Sequence, residues 1–342
     1  MAVVGLIANP TASGDIRRLV AHGRGVPAGE KVNIIRRVLL GLESLGIRRV
    51  VAMPDPAHLC RRARDDARLS LNLELLNIPV QSTAADSIQA AALMDQMGVG
   101  CLVTLGGDGT NRAVAKGCGQ VPLVPISTGT NNVFPAMVEG TLAGLAAGVV
   151  ARGLVEPQVA CYTSKRIEVY VDGALQDIAL VDVAVSKERF VASRAVWDMT
   201  SLHEVFLTRA EPFSLGLSSI GARLQPVSMS DPAGLYFRLG SGGTTVMAPV
   251  APGLVSPVAI AAWRLLPLDQ RVRVELHPCT IALDGEREFS VLPGQGVEVA
   301  VRHNGPQVVQ IEDVLCEANR RGVFTYSNAV LAPRRSPPEI GG

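Results

Sequence analysis

The sequence predicts an α/β half with a parallel sheet over residues 1–135, an all-β half over residues 136–312, and a helix and tail over 313–342 with room to return to the first half. Three observations carry this. Apolar strand-like runs alternate with stretches of helical periodicity up to about residue 150, the rhythm of a parallel sheet covered on both faces. After about residue 155 the rhythm changes to short alternating strands with Asp-Gly turns between them. Two glycine-rich turns end successive strands of the first half, where α/β sheets bind their ligands.

The elements follow in order. Ala2 to Ala8 is an unbroken apolar run and predicts a buried strand, ending in the polar loop Asn9-Pro10-Thr11-Ala12-Ser13-Gly14. Lys31 to Leu45 places Ile34, Ile35, Val38, Leu39, Leu42 and Leu45 at helical spacing, and Gly46 caps that helix. Arg49 to Met53 is a strand, about Ala57 to Leu69 a helix, Leu71 to Ile78 a strand, and Asp86 to Met97 a helix stopped by Gly98. In the second half, Lys165 to Gly173 and Ile281 to Glu286 read as hairpin segments with Asp-Gly turns, and Glu312 to Arg321 as a short helix capped by Gly322. Ala332 to Pro338 reads as a disordered tail.

The chemistry concentrates in the two glycine turns. One is Val103-Thr104-Leu105-Gly106-Gly107-Asp108-Gly109-Thr110, continuing to Asn111; the other is Val124-Pro125-Ile126-Ser127-Thr128-Gly129-Thr130-Asn131-Asn132. Glycine lets backbone N–H groups approach phosphate oxygens closely. A helix starting at Thr110 points its N-terminal N–H groups and positive dipole end at the same anion. Asp108 then stands at the phosphate edge, where a metal ion or an attacking hydroxyl is handled. A single turn of this kind reads equally as a βα junction with Asp108 or Thr110 as helix cap; two such turns favour the phosphate reading. Neither turn is the G-x-G-x-x-G fingerprint or a Walker A loop. With Asn9, Ser13 and Gly14, they define the candidate nucleotide-binding residues: Gly106, Gly107, Gly109, Thr110, Asn111, Thr128, Gly129, Thr130, Asn131 and Asn132.

Outside these loops, Asp182 interrupts the apolar run Leu180 to Val185, and a buried carboxylate there needs a partner. Arg112 and Lys116 are i, i+4 neighbours and read as a solvated helix face. His22, His58, His203, His277 and His303 have no ligand spacing; Trp197 and Trp263 read as core or interface residues.

Composition excludes several classes. The net charge of +1 argues against nucleic acid or an anionic membrane as partner. Charged residues make up 18% of the chain, below the usual soluble average of about 25%, so part of the surface is expected in a homo-oligomer, a dimer or tetramer. The uncharged run Leu239 to Trp263 is punctuated by Pro and Gly and reads as strands and turns, a candidate interface. The six cysteines show no C-x-x-C spacing, and the N-terminus lacks a basic segment before its apolar run, which together fit a reducing cytoplasm.

The ordered set Asn9-Pro10, Ser13-Gly14, Gly106 to Thr110, Gly129-Thr130 with Asn132 and Phe134, and Asp284-Gly285-Glu286 resembles the superfamily of NAD kinases and diacylglycerol or sphingoid lipid kinases. Within it, Gly14 to Arg18, Gly106 to Ala115 and Ser127 to Pro135 look like the acetoin catabolism protein X type. The resemblance covers roughly residues 3 to 315. It implies a two-domain NAD kinase-like fold, the second domain a β-sandwich, with the active site between them. It also implies transfer of the γ-phosphoryl group of ATP, with Mg²⁺, to a hydroxyl of a small-molecule acceptor. The resemblance places the catalytic aspartate at Asp108 and acceptor-side carboxylates at Asp284 and Glu286; Asp182 is the further acceptor-side candidate. No metal ligand set is assigned. Two positions depart from the pattern: Val133 stands where lipid kinases carry Asp, and Val181 where NAD kinases carry an acceptor-contacting Asn. The alternative reading is a non-catalytic nucleotide-binding regulator that keeps the kinase fold.

Overall fold

The structure, a computed structural model, describes residues 2–11, 25–66, 69–129, 132–188 and 199–325. Ser13, Gly14, Thr130, Asn131, Trp197 and the tail from Ala332 lie outside the described residues. The first sheet begins with β1 (Val3–Ala8), α1 (Ala28–Ser44), β2 (Arg49–Ala52), α2 (Leu59–Asp66), β3 (Asn72–Leu75), α3 (Ala84–Gln96), β4 (Cys101–Gly106), α4 (Asp108–Ala115) and β5 (Leu123–Ser127). The chain continues through α5 (Gly140–Ala151), α6 (Pro157–Ala160) and β6 (Cys161–Thr163).

The β half contains β7 (Arg166–Val171), β8 (Ala174–Ala179), β9 (Asp182–Ser186), β10 (Leu202–Leu207), α7 (Leu217–Leu224), β11 (Ala233–Ala251) and β12 (Leu254–Pro267). It ends with β13 (Arg271–Arg273), β14 (Cys279–Leu283), β15 (Glu286–Val291) and β16 (Val297–Arg302). Two final elements, β17 (Gln307–Val309) and α8 (Ile311–Arg320), return to the first sheet.

Among the described residues that sheet has the order β3-β2-β1-β4-β5-β17-β6. Strands β1 to β5 pair in parallel, as the βα rhythm requires, and β17 joins β5 in parallel with β6 antiparallel beyond it. Helix α1 forms because its apolar residues recur on one face. Ile35, Val38, Leu39 and Leu42 are almost fully buried against the sheet, and Gly46 turns the chain at φ +75°. The other face of the sheet is covered by α3 and α4, and its core takes in Phe134, Leu180 and Val181 as well. The two halves therefore share a core. Strands β12-β11-β10-β9-β14-β15 and β13-β16-β7-β8 form two antiparallel sheets packed through Val169, Val183, Phe206, Ile281 and Val299. Helix α7 covers the outer face of the larger sheet.

The long hairpin β11–β12 confirms strands and a turn across Leu239 to Trp263. Its edge strand exposes Val255 (61%), Leu265 (47%) and Trp263 (43%), so Trp263 is not a core residue. Among the described residues no helix is long and apolar enough to cross a membrane.

Helices α1 and α5 meet through glycines. A Cβ at Gly144 would lie 2.3 Å from the Val38 carbonyl oxygen, and one at Gly41 would lie 2.6 Å from that of Thr141. Exchanging Gly for Ala in a helix gains about 1 kcal/mol of propensity, whereas overpacking against backbone costs ~1–3 kcal/mol. The contact here is backbone to backbone, so the clash should win. Gly144→Ala is expected to lower stability by about 1–2 kcal/mol in urea denaturation, and a stabilised variant would show that α1 and α5 can separate freely.

Candidate functional site

Strand order reverses at β1 and β4, which opens a crevice beyond their carboxyl ends. Asn9 and Thr110 close it from opposite sides: the Asn9 amide Nδ2 donates to Thr110 Oγ1 at 2.9 Å. Beneath them the Lys31 ammonium, wholly buried, donates to the carbonyls of Asn9 (3.0 Å) and Pro10 (2.8 Å). Burial pulls its pKa down to about 8, against the opposing charge of Asp55. Sequence reasoning missed Lys31, because a lysine at the start of an amphipathic helix reads as a solvated residue; only the fold carries it under the β1 loop.

Helix α4 starts at Asp108, two residues earlier than expected, with Gly107 as its N-cap residue. Both glycines of the turn are required by close neighbours. A Cβ at Gly106 would lie 2.4 Å from the Thr110 side chain, and one at Gly107 would lie 2.9 Å from Asn132 Oδ1. Gly109 faces Glu286, whose carboxyl carbon lies 3.8 Å from where a Cβ would sit. Asn132 donates to Ser127 Oγ at 2.7 Å, which links it to the end of β5. Asn111 is engaged within the turn. Its side chain accepts from Thr104 Oγ1 (2.7 Å) and donates to the Gly107 carbonyl (2.9 Å), so it braces the turn from within. Thr128 N–H donates to the Gly106 carbonyl at 3.0 Å beside Gly129, and Thr128 Oγ1 is buried without a protein partner.

Three buried aspartates from both halves converge here. Asp108 accepts hydrogen bonds from Val133 N–H (3.1 Å) and Phe134 N–H (2.8 Å) and so ties α4 to the loop after β5. Burial, with the charge of Asp284 second, pushes its pKa up to about 7. Asp284 and Gly285 both have positive φ, +51° and +78°, the type I′ geometry that the Asp-Gly pair predicts between β14 and β15. From that turn the Asp284 carboxylate accepts from the N–H groups of Leu180 (3.0 Å), Val181 (2.8 Å) and Asp182 (3.3 Å). Burial raises its pKa too, opposed by Arg112. Asp182 Oδ1 accepts from Gly285 N–H at 3.3 Å. The hairpin reading and the site reading of Asp284 are thus both satisfied by one residue.

Arg112 corrects the sequence expectation. It is not on a solvated face: its side chain is 7% exposed and faces Asp284 (3.6 Å), Asp177 (3.6 Å) and Glu288. Lys116 joins it on Asp177 at 2.6 Å. The spacing could not show this, since the partner carboxylates come from β8 and from the β14–β15 hairpin. A second arginine, Arg209, stacks over the Phe134 ring at 5.6 Å, and its Nε and Nη2 are buried without hydrogen-bond partners.

Between the aspartates and α7 lies a cavity of about 40 Å³, lined by Asp108, Asp182, Asp284, Val133, Leu217 and Val250 among others. A larger recess of about 430 Å³ opens at the opposite, amino-terminal edge of the first sheet, near Val3, Gly100 and Arg152, and brings no carboxylate or second cation together. Unpartnered buried donors on Thr128 and Arg209 fit an anion such as a triphosphate at the glycine turns. Among the described residues no three His, Cys, Asp or Glu side chains cluster at metal-ligand distances.

A parallel α/β domain joined to a β-sandwich, with carboxylates between them, is the architecture of the NAD kinase-like proteins, and comparisons agree. Residues 4–154 match the ATP-NAD kinase N-terminal domain, and residues 165–304 match the acetoin catabolism protein X C-terminal domain. A solved relative in fold is yeast NADH kinase in complex with NADH, with a TM-score of 0.53 at 16% identity over 97% of this chain and 90% of that one. Acetoin catabolism protein X of Cupriavidus necator is 38% identical over 333 residues, 93% of this chain and 92% of that protein. The chain belongs to the acetoin catabolism protein X family.

The raised pKa of Asp108 predicts a pH effect. Its folded value, about 7, lies above the ordinary 3.8, so between these values the folded state holds a proton that the unfolded chain has lost. Stability should therefore fall as pH rises through that window. Asp108→Asn cannot titrate and is expected to show a flatter profile in urea denaturation at pH 5 and pH 8; parallel falls in both proteins would assign the effect elsewhere.

Proposed function

We propose that the protein is a phosphotransferase that moves the γ-phosphoryl group of ATP to a hydroxyl of a small-molecule acceptor, in a pathway of acetoin catabolism. One observation carries this reading: Asp108, Asp182 and Asp284, from two halves of the chain, meet in one cleft beside two glycine turns with unpartnered buried donors. The glycine turns hold the triphosphate through backbone N–H groups and the amino end of α4, with Thr128 and Arg209 completing its hydrogen bonds. Mg²⁺, when bound, neutralises charge developing on the phosphoryl oxygens. Asp108 takes the acceptor's proton, since a carboxylate titrating near 7 is matched to that task at neutral pH. Asp284, held by three N–H donors and Arg112, fixes the acceptor side, with Asp182 and Glu286 at its rim.

A second reading, nucleotide binding without catalysis, is favoured by one feature: Asp108 and Asp284 already serve as acceptors for backbone N–H groups. Incubating the purified protein with ATP, Mg²⁺ and a metabolite mixture, then reading products by mass spectrometry, separates the two. A phosphorylated product that disappears in Asp108→Asn supports transfer; ATP binding with no product supports the regulator.

Gly107→Val tests the nucleotide site itself. The added methyls must displace Asn132, 2.9 Å from the Cβ position, and calorimetric titration is expected to show ATP affinity at least tenfold weaker. Unchanged affinity would move the site elsewhere. NAD is expected to be a poor acceptor. Val181 is buried and gives the site only its backbone N–H, and a missing polar partner in a buried site costs on the order of 1–3 kcal/mol. Robust NADP formation would contradict this.

The exposed apolar edge around Val255, Trp263 and Leu265 supports assembly as a dimer or tetramer through the β half. Light scattering should give a multiple of 36.0 kDa. The six unpaired cysteines support a place in the cytoplasm.

A further inference from the structure

We infer that the acceptor is a short compound carrying hydroxyl groups and no negative charge. This rests on the transferase reading of the cleft and names its substrate class. The cavity has two kinds of wall. One is acidic, with Asp108, Asp182 and Asp284, the last with its side chain wholly buried; the other is apolar, with Met199, Leu217 and Val250. Among the described residues, no Lys, Arg or His side chain lines it. Neither nearby guanidinium group lines it. Arg112 is engaged with Asp284, Asp177 and Glu288, and Arg209 lies over Phe134. Lys31 is engaged with backbone carbonyls under the β1 loop.

Such walls sort ligands by simple rules. Carboxylate oxygens accept hydrogen bonds from hydroxyl groups. When ionised they repel a ligand carboxylate or phosphate, and in a desolvated cleft that repulsion is poorly screened. The apolar wall favours a carbon skeleton over a ligand polar all round. Size is limited as well. A cavity of about 40 Å³ offers room for about three water positions at ~10–15 Å³ each. That favours a polyol or hydroxyketone of a few carbons over a nucleotide as acceptor.

The test compares two molecules of similar size, butane-2,3-diol and lactate, by saturation-transfer NMR on the full-length protein. The diol is expected to bind at least tenfold more tightly than lactate. Asp182→Asn, which keeps an acceptor for the Gly285 N–H, should narrow that ratio by removing a charge. Val250→Phe should fill the cavity and abolish the diol signal. Lactate binding as tightly as the diol, or no signal from either, would overturn the inference. ATP added to the same samples separates this inference from the reading beneath it. Diol binding without phosphorylation would leave the acceptor class standing and remove the transferase. Phosphorylation of lactate or NAD in preference to the diol would keep the transferase and overturn the acceptor class.

Discussion

A carboxylate removed from water must be given hydrogen-bond donors, and the middle of this molecule is organised by how Asp108 and Asp284 obtain theirs. Neither uses a side chain as its main donor. Asp108 takes the N–H groups of Val133 and Phe134, and Asp284 takes those of Leu180, Val181 and Asp182. Backbone donors cannot be moved without moving the chain. Asp108 therefore fixes the start of α4 against the loop after β5, and Asp284 fixes the β14–β15 turn against the β8–β9 connection. The price is electrostatic. Both acids are pushed toward their protonated forms by burial, and Asp108 is raised further by its neighbour.

Arg112 makes that arrangement tolerable. Two anionic groups sharing a dry cleft repel each other, and a cation against one of them offsets part of the cost. Arg112 lies 3.6 Å from Asp284 and also meets Asp177 and Glu288, so one side chain of the first domain faces three acids of the second. A buried ion pair of this kind is weak evidence for net stability, because desolvation consumes most of the attraction. Its clearer effect is geometric: α4 cannot slide along the hairpin without leaving a buried charge alone. The shared apolar core around Phe134, Leu180 and Val181 adds a contact with no such cost.

Much of this was legible in the chain. The helix of Ile34, Ile35, Val38, Leu39 and Leu42, the glycine stops at Gly46 and Gly98, and the Asp-Gly hairpins stand where periodicity and turn chemistry place them. The glycine turns end β4 and β5 as read. What failed were statements about partners distant in the chain. Arg112 carries a solvated-face signature, and only the docking of the β half buries it, while Lys116 stays exposed and meets Asp177. Lys31 has no signal at all. Asn111, grouped with the phosphate loop by adjacency, is turned inward by Thr104, a contact seven residues back that spacing alone does not specify.

The two departures from the kinase pattern acquire one physical explanation. Val133 and Val181 flank the aspartates, and in each case the backbone N–H is the group in use, donating to Asp108 or to Asp284. Their side chains pack at the core between the domains. A polar side chain at Val181 would enter that core and need a partner there. Valine at both positions therefore gives apolar packing around the carboxylates. A cleft closed in this way is small, about 40 Å³, with acids on one side and apolar side chains on the other.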